Sequence, residues 1–130
     1  MFKQIHHIAI TCKSLEKLKE FYIKLGFKLQ KSYQDDEVII AHLNLKGTLI
    51  ELFEFNGSIK SIRVKRWDIK LKEPGLVHFA LAVDDIKAAK QWVNDQLSVS
   101  TTEVTYGRTG INYFFMHDPE GNAIEVVECN

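Results

Sequence analysis

This chain of 130 residues has little proline or cysteine and no excess of either charge. It contains two Pro, two Cys, and 17 basic against 17 acidic side chains, so its formal net charge is zero. A neutral chain has no general attraction to nucleic acid or to an anionic membrane. No apolar run approaches the roughly 20 residues of a membrane helix, and the first residues lack the basic-then-apolar pattern of a signal segment. We therefore expect a small-molecule partner, no nucleic acid, no membrane, and a cytoplasmic location.

The two cysteines and the overall composition indicate an ordinary globular protein. Cys12 and Cys129 form neither a CxxC pair nor a dense disulfide framework, which predicts two reduced thiols, with one bridge between strand ends as the alternative. Apolar residues make up 45% and charged residues 26% of the chain. These values are normal for a folded chain, and this length is enough for one compact domain with its own core.

One pattern occurs twice in the chain. His7 and His78 each open an apolar run and lie 71 positions apart, while Glu51 and Glu125 each stand inside an apolar run and lie 74 positions apart. A period longer than that of solenoid repeats indicates a duplicated module. A carboxylate inside an apolar strand is costly to bury unless a cation receives it. The repeat therefore predicts that the imidazole and the carboxylate of each half belong to one functional site.

Turn residues predict two hairpins, and each hairpin carries one of the two Glu side chains. Residues 118–121 read Asp-Pro-Glu-Gly, which suits a type I turn between strands at 111–116 and 123–128. In the first half, strands at 38–45 and 48–55 meet across two residues.

A two-residue turn at Lys46 and Gly47 sets the pairing of the first hairpin. It places Leu45 opposite Thr48, and counting back along both strands then places His42 opposite Glu51. His42 is therefore a candidate to support Glu51 or to contact substrate, unless the hairpin slips by one residue.

Two amphipathic helices complete the halves. Ser14 is the expected N-cap of the first and Gly26 its stop, while Asp84 or Asp85 caps the second. The predicted inner faces are Leu15, Leu18, Phe21, Tyr22 and Leu25 in the first helix, and Ile86, Ala89, Trp92, Val93 and Leu97 in the second. The 71-residue offset makes Trp92 the counterpart of Phe21.

Basic residues outside the repeat are candidate contacts for an anionic ligand. The arm at 57–74 has no counterpart in the other half and carries Lys60, Arg63, Lys65, Arg66, Lys70 and Lys72 around Trp67. It either closes over an anionic ligand or is a solvated arm with Trp67 against the body or a partner subunit. Arg108, in a Gly-bounded turn, either contacts substrate or is a plain surface residue.

Two imidazoles and two carboxylates are a donor set suited to a divalent metal. Ni, Co and Zn fit best, with Mn and Fe also suitable. Coordination positions left open can bind two adjacent oxygens of a substrate, and the ion then stabilises the charge of an enediolate while a carboxylate moves the proton. His7, Glu51, His78 and Glu125 are thus the predicted ligands.

Five segments in order resemble the vicinal oxygen chelate superfamily, which includes glyoxalases, bleomycin resistance proteins and dioxygenases. Within it they are most similar to the glyoxalase I-like (lactoylglutathione lyase-like) branch. They are HHIAI at 6–10, EFYIKLGF at 20–27, TLIELFEF at 48–55, GLVHFALAVDDI at 75–86 and YFFMHDPEGNAIEVVE at 113–128. The resemblance implies an α+β fold of two tandem βαβββ modules, about 4–56 and 75–128. These would form a cupped mixed sheet with helices outside, usually as a homodimer.

The same resemblance implies a His-Glu-His-Glu ligand set at His7, Glu51, His78 and Glu125, with Glu125 as the base and Glu51 as its partner across the metal. The glutathione-binding positions do not match: Thr11 and Pro74 stand where that branch has Arg, and Phe55 where it has Asn. We therefore expect a metal-dependent lyase or isomerase of unassigned substrate. The alternatives are an epimerase resembling methylmalonyl-CoA epimerase, or a non-catalytic drug-binding member of the superfamily.

Overall fold

The structure is a computed structural model that describes residues 1–57 and 71–129. The chain divides into two compact units, Met1–Val64 and Lys65–Asn130. Most of the basic arm, including Lys60, Arg63, Arg66 and Trp67, lies outside the described residues. That the two modules form a single domain over 1–130 stays a prediction.

The first unit contains one helix and a four-stranded mixed sheet. Its elements are β1 (His7–Thr11), α1 (Leu15–Lys24), β2 (Lys28–Gln34), β3 (Val38–Leu45) and β4 (Thr48–Phe55). The strand order is β1-β4-β3-β2, with β1 parallel to β4 and the other pairs antiparallel.

The second unit has the same topology. Its elements are β5 (Phe79–Val83), α2 (Ile86–Trp92), a π-helical turn (Val93–Leu97), β6 (Thr105–Tyr106), β7 (Asn112–His117) and β8 (Ala123–Glu128). The strand order is β5-β8-β7-β6, again with only the first pair parallel. The tandem βαβββ arrangement and the α+β class are therefore confirmed.

The hairpin of β3 and β4 has the predicted register. Lys46 and Gly47 both have positive φ, 49° and 96°, as a two-residue primed turn requires. Leu45 pairs with Thr48, and His42 consequently pairs with Glu51.

The turn between β7 and β8 is built around a buried carboxylate. Asp118 is 1% exposed, and its backbone carbonyl accepts the N–H of Gly121, which has a φ of 85°. Its Oδ1 accepts the backbone N–H groups of Glu120 and Asn122. The side chain thus replaces the backbone partners that a tight turn lacks, which is the usual reason for Asp at the start of a turn.

Both helices begin at predicted caps. Ser14 Oγ accepts the N–H of Lys17, and Asp85 Oδ1 accepts the N–H groups of Lys87 and Ala88. The inner face of α1 is buried at Leu15, Leu18, Phe21 and Tyr22, as its spacing predicts.

The predicted inner face of the second helix was wrong at Trp92. Trp92 is 43% exposed, whereas its counterpart Phe21 is 6% exposed. Ile86 and Val93, at 3% and 4%, are buried as predicted. The helix leaves regular α geometry after Trp92 and continues as a π-helical turn. Trp92 itself still belongs to the regular α-helix, six positions after Ile86. At about 100° per residue it lies about 240° around the helix from Ile86, whereas Val93 lies about 340° around and so returns to the buried face.

A second repeated carboxylate joins each sheet to its helix. Glu54 Oε1 accepts the N–H of Leu15, and Glu128 Oε2 accepts the N–H of Ile86, both at 2.9 Å. Glu54 and Glu128 lie three positions after Glu51 and Glu125, so they face the opposite side of their strands. The first N–H groups of a helix have no partner within the helix, and a carboxylate there also opposes the positive end of the helix dipole.

We expect Glu54→Ala to lower the free energy of unfolding by about 1–2 kcal/mol, because it leaves the Leu15 N–H without its carboxylate. Glu54→Gln should lose less, since the amide oxygen still accepts. Urea unfolding followed by far-UV circular dichroism measures both. Glu16→Ala is the matched control: Glu16 is an exposed α1 residue paired with Lys19, and its loss should cost about 0.5 kcal/mol or less. Equal effects of the two alanine variants would contradict this role for Glu54.

Candidate metal centre

The first unit brings His7 and Glu51 together on one face of its sheet. Ile50 and Leu52 of β4 are buried on the face that packs against α1, and Glu51 between them points to the other face. His7 lies at the start of the neighbouring strand β1. Its Nε2 is 3.3 Å from Glu51 Oε1, and the two side chains are 37% and 16% exposed.

His42 holds the second oxygen of the same carboxylate. Its Nε2 lies 2.5 Å from Glu51 Oε2, across the β3–β4 pair. The rings of His7 and His42 are nearly parallel, with an interplanar angle of 22° and centroids 6.3 Å apart. Glu51 is therefore a half-buried carboxylate with an imidazole on each oxygen.

His6 is exposed, and it has a contact that the sequence does not reveal. Its Nδ1 is 2.9 Å from the Nδ1 of His7, so one ring donates and the other accepts according to their tautomers. A contact between neighbouring residues of an irregular segment depends on backbone dihedrals, and no spacing pattern reports those. His6 thereby supports the outer nitrogen of a predicted ligand.

The described part of the second unit also has a His–Glu pair, but it lacks the neighbouring imidazoles that contact His7 and Glu51 in the first unit. His78 lies directly before β5, which begins at Phe79. Its Nε2 is 3.1 Å from Glu125 Oε2, and both side chains are about one-fifth exposed, at 23% and 21%. Within residues 1–57 and 71–129, the buried Nδ1 of His78 has no hydrogen-bond partner.

Phe115 occupies the place in the second unit that His42 holds in the first. Phe115 pairs with Glu125 in the antiparallel register of β7 and β8, as His42 pairs with Glu51. The Phe115 ring meets the His78 ring edge-on, with centroids 5.1 Å apart. The carboxylate of Glu125 therefore has one imidazole neighbour where Glu51 has two.

The distances within each His–Glu pair fit two donors of one ion. Neighbouring ligand atoms with bonds of about 2.0–2.2 Å lie about 2.8–3.5 Å apart, depending on geometry. The Nε2-to-oxygen distances, 3.3 Å for His7–Glu51 and 3.1 Å for His78–Glu125, both lie in this interval. The contact between His42 Nε2 and Glu51 Oε2 is shorter than this interval, so we assign His42 to a hydrogen bond with the carboxylate and not to the ion.

Each unit by itself supplies only two donors in this arrangement. In the part of the chain that is described, no group of three or more His, Cys, Asp or Glu side chains forms a metal-binding cluster. The meeting of the His7–Glu51 and His78–Glu125 pairs at one ion stays a prediction, as does its origin in one chain or two.

The remaining sequence candidates lie in separate places. Arg108 is an exposed residue of the turn between β6 and β7, which is closed by a 3.0 Å bond from the N–H of Gly110 to the carbonyl of Gly107. Its contact with substrate stays a prediction.

Cys12 is buried and Cys129 is exposed, and neither belongs to a disulfide in the described residues, as expected. Across those same residues, no helix has the length and apolar character to cross a membrane.

The sequence profile of the Glyoxalase/Bleomycin resistance protein/Dioxygenase superfamily matches residues 4–126. The chain belongs to this superfamily. It is 32% identical over 133 residues to the uncharacterized protein YwkD of Bacillus subtilis (strain 168), with 98% of each chain covered. The superfamily resemblance drawn from the five sequence segments is thereby confirmed.

Solved structures of superfamily members share the fold. The glyoxalase family protein from Enterococcus faecalis is 27% identical with a TM-score of 0.78, and 98% of each chain is covered. The trypanothione-dependent glyoxalase I of Leishmania major is 21% identical with a TM-score of 0.74, over 98% of this chain and 87% of that one. At that identity, the second likeness concerns the fold alone.

The adjacent imidazoles of His6 and His7 give a direct test of the ligand assignment. We expect His7→Ala to lower the bound metal per chain after loading with Ni²⁺, Co²⁺ or Zn²⁺, because it removes the Nε2 donor beside Glu51. His6→Ala should leave the stoichiometry unchanged. Elemental analysis of the dialysed proteins gives both values. A loss of metal from the His6 variant with none from the His7 variant would reverse the assignment of the two rings.

Proposed function

We propose that this protein is a metal-dependent lyase or isomerase of the glyoxalase I type, which moves a proton on a substrate with two adjacent oxygens. One observation carries the proposal: each of two duplicated units holds an imidazole nitrogen and a carboxylate oxygen at ligand spacing, in matching places of its sheet. A structural ion pair needs no such repetition. A divided metal site needs one pair from each unit.

His7, Glu51, His78 and Glu125 would hold the ion, and two nitrogens with two oxygens suit Ni²⁺, Co²⁺ or Zn²⁺, with Mn²⁺ and Fe²⁺ as further choices. When bound, the ion supplies Lewis-acid stabilisation of the negative charge that develops on substrate oxygens. The pairs would meet within one chain or across a homodimer, in the cytoplasm.

Glu125 is the proposed base. A base must have a carboxylate oxygen that can turn towards the substrate, and a 10²- to 10⁴-fold gain of rate is typical of such a group. Glu125 has a single imidazole neighbour and an apolar strand partner, so one of its oxygens has no imidazole beside it. Glu51 has an imidazole at each oxygen and is the poorer candidate.

The face beside Glu51 favours a substrate other than a glutathione adduct. Thr11 of β1 pairs with Phe53 of β4, and the Phe53 and Phe55 rings stack with their centroids 5.8 Å apart. Phe53 and Phe55 share the face of Glu51 because alternate residues of a strand point the same way. An apolar surface therefore stands where the glutathione-using branch has Asn. Arg108 and the basic arm remain candidates to supply a cationic contact.

An assay of methylglyoxal, alone and with glutathione or another low-molecular-weight thiol, tests the proposal on protein loaded with each metal in turn. We expect proton transfer that requires metal and is lost by about 10²-fold or more in Glu125→Gln, which keeps the shape but removes the base. The variant should keep the circular dichroism spectrum and bind metal more weakly. Wild-type protein that retains no metal after dialysis would contradict the proposal and favour a binding-only role. Unchanged turnover in Glu125→Gln would remove that residue from the role of base.

A further inference from the structure

The two halves of the proposed site differ at the strand position opposite each carboxylate. β3 places His42 opposite Glu51, and β7 places Phe115 opposite Glu125, in equivalent registers of the two sheets. His42 Nε2 lies 2.5 Å from Glu51 Oε2, whereas Phe115 offers its partner carboxylate no donor. The first unit therefore has a hydrogen-bonding side chain that can fix the orientation of its carboxylate, and the second unit has an apolar ring in its place.

A carboxylate has two oxygens, and its partners decide which of them is available to an ion. In the first unit, Oε2 of Glu51 is taken by His42, while Oε1 faces His7 at 3.3 Å. Oε1 is then the oxygen directed to a metal beside the His7 imidazole, while the hydrogen bond from His42 fixes Oε2. The Glu51 side chain is 16% exposed, so this hydrogen bond is largely shielded from competing water.

We propose that His42 is a positioning residue that fixes Glu51 as a one-oxygen metal ligand, and that Phe115 leaves Glu125 able to turn and move the proton. This inference rests on the proposed function. Hydrogen-bonding partners of metal ligands typically change metal affinity by about 10- to 100-fold when they are removed. The asymmetry gives the two carboxylates of a duplicated site different tasks.

The opposite strand positions allow the residues to be exchanged between the halves. His42→Phe gives the first unit the side chain of the second, and Phe115→His gives the second unit that of the first. His42→Gln keeps an N–H donor near Glu51. Ile40→Phe is the matched control, because it adds a ring to the same face of β3, two residues from His42, and keeps the imidazole.

Metal dissociation constants from chelator competition, and the visible spectrum of the Co²⁺ protein, provide readouts besides activity. We expect His42→Phe to bind Co²⁺ about 10- to 100-fold more weakly, with a changed spectrum because Glu51 can bind through both oxygens. His42→Gln should recover most of the affinity, and Ile40→Phe should match the wild type. Phe115→His should keep the metal and lower kcat by about tenfold or more, because the new imidazole holds Glu125.

Melting temperatures of all four variants separate positioning from packing. A purely structural role for His42 would lower the melting temperature equally in His42→Phe and His42→Gln, with no recovery of Co²⁺ affinity by Gln. That result, or unchanged affinity and spectrum in His42→Phe, would overturn the inference while wild-type metal binding and turnover still support the proposed function. Unchanged kcat in Phe115→His would overturn the part that concerns Glu125. Absence of metal from the wild-type protein would instead contradict the proposed function.

Discussion

Two carboxylates on the last strand of each unit connect that strand to the helix on one face and to an imidazole on the other. They stand three residues apart, Glu51 with Glu54 and Glu125 with Glu128, and an odd spacing sends them to opposite faces of a strand. On one face, Glu54 and Glu128 bind the first N–H of the helix. On the other face, Glu51 and Glu125 meet an imidazole. The helix and the candidate site are therefore oriented by the same short segment of chain.

Duplication explains why the units share topology, and divergence explains where they differ. The strand order and the single parallel pair are the same in both sheets. The differences are local: an imidazole opposite Glu51 against a phenyl ring opposite Glu125, and a seven-residue helix with a π-helical turn against a ten-residue helix. A shared backbone keeps the donor pairs alike, while single side chains around them give each half its own environment.

The sequence predicted the features that depend on a few neighbouring residues, namely the β3–β4 turn and the helix caps. Turn length and positive φ at Lys46 and Gly47 set the β3–β4 register, so His42 was found opposite Glu51 by counting. Ser14 and Asp85 were recognisable as caps because their side chains bond within three residues of themselves. The spacing of His and Glu indicated a duplicated module, and the two sheets have equivalent strand orders.

The contacts that escaped prediction join distant segments or depend on irregular backbone. Glu54 reaches a helix 39 residues earlier, and a second Glu on a strand gave no sign of which donor it would meet. The same is true of His6, whose neighbour depends on the dihedral angles of a segment outside any strand. Trp92 was misplaced because, six residues after Ile86, it lies about 240° around the helix from the buried face, which Val93 occupies. The signal for Glu54 and Glu128 was nonetheless present, as a second carboxylate repeated at the same 74-residue interval as Glu51 and Glu125.

The turn at Lys46 and Gly47 makes the chemistry around Glu51 sensitive to the length of a surface loop. A strand presents its side chains with a period of two, so one extra residue that shifted the pairing would send His42 to the helix side of the sheet. Surface loops usually tolerate changes of length with little penalty. This one has no such freedom, because adding a single residue far from any ligand would alter the donor set as surely as replacing the histidine.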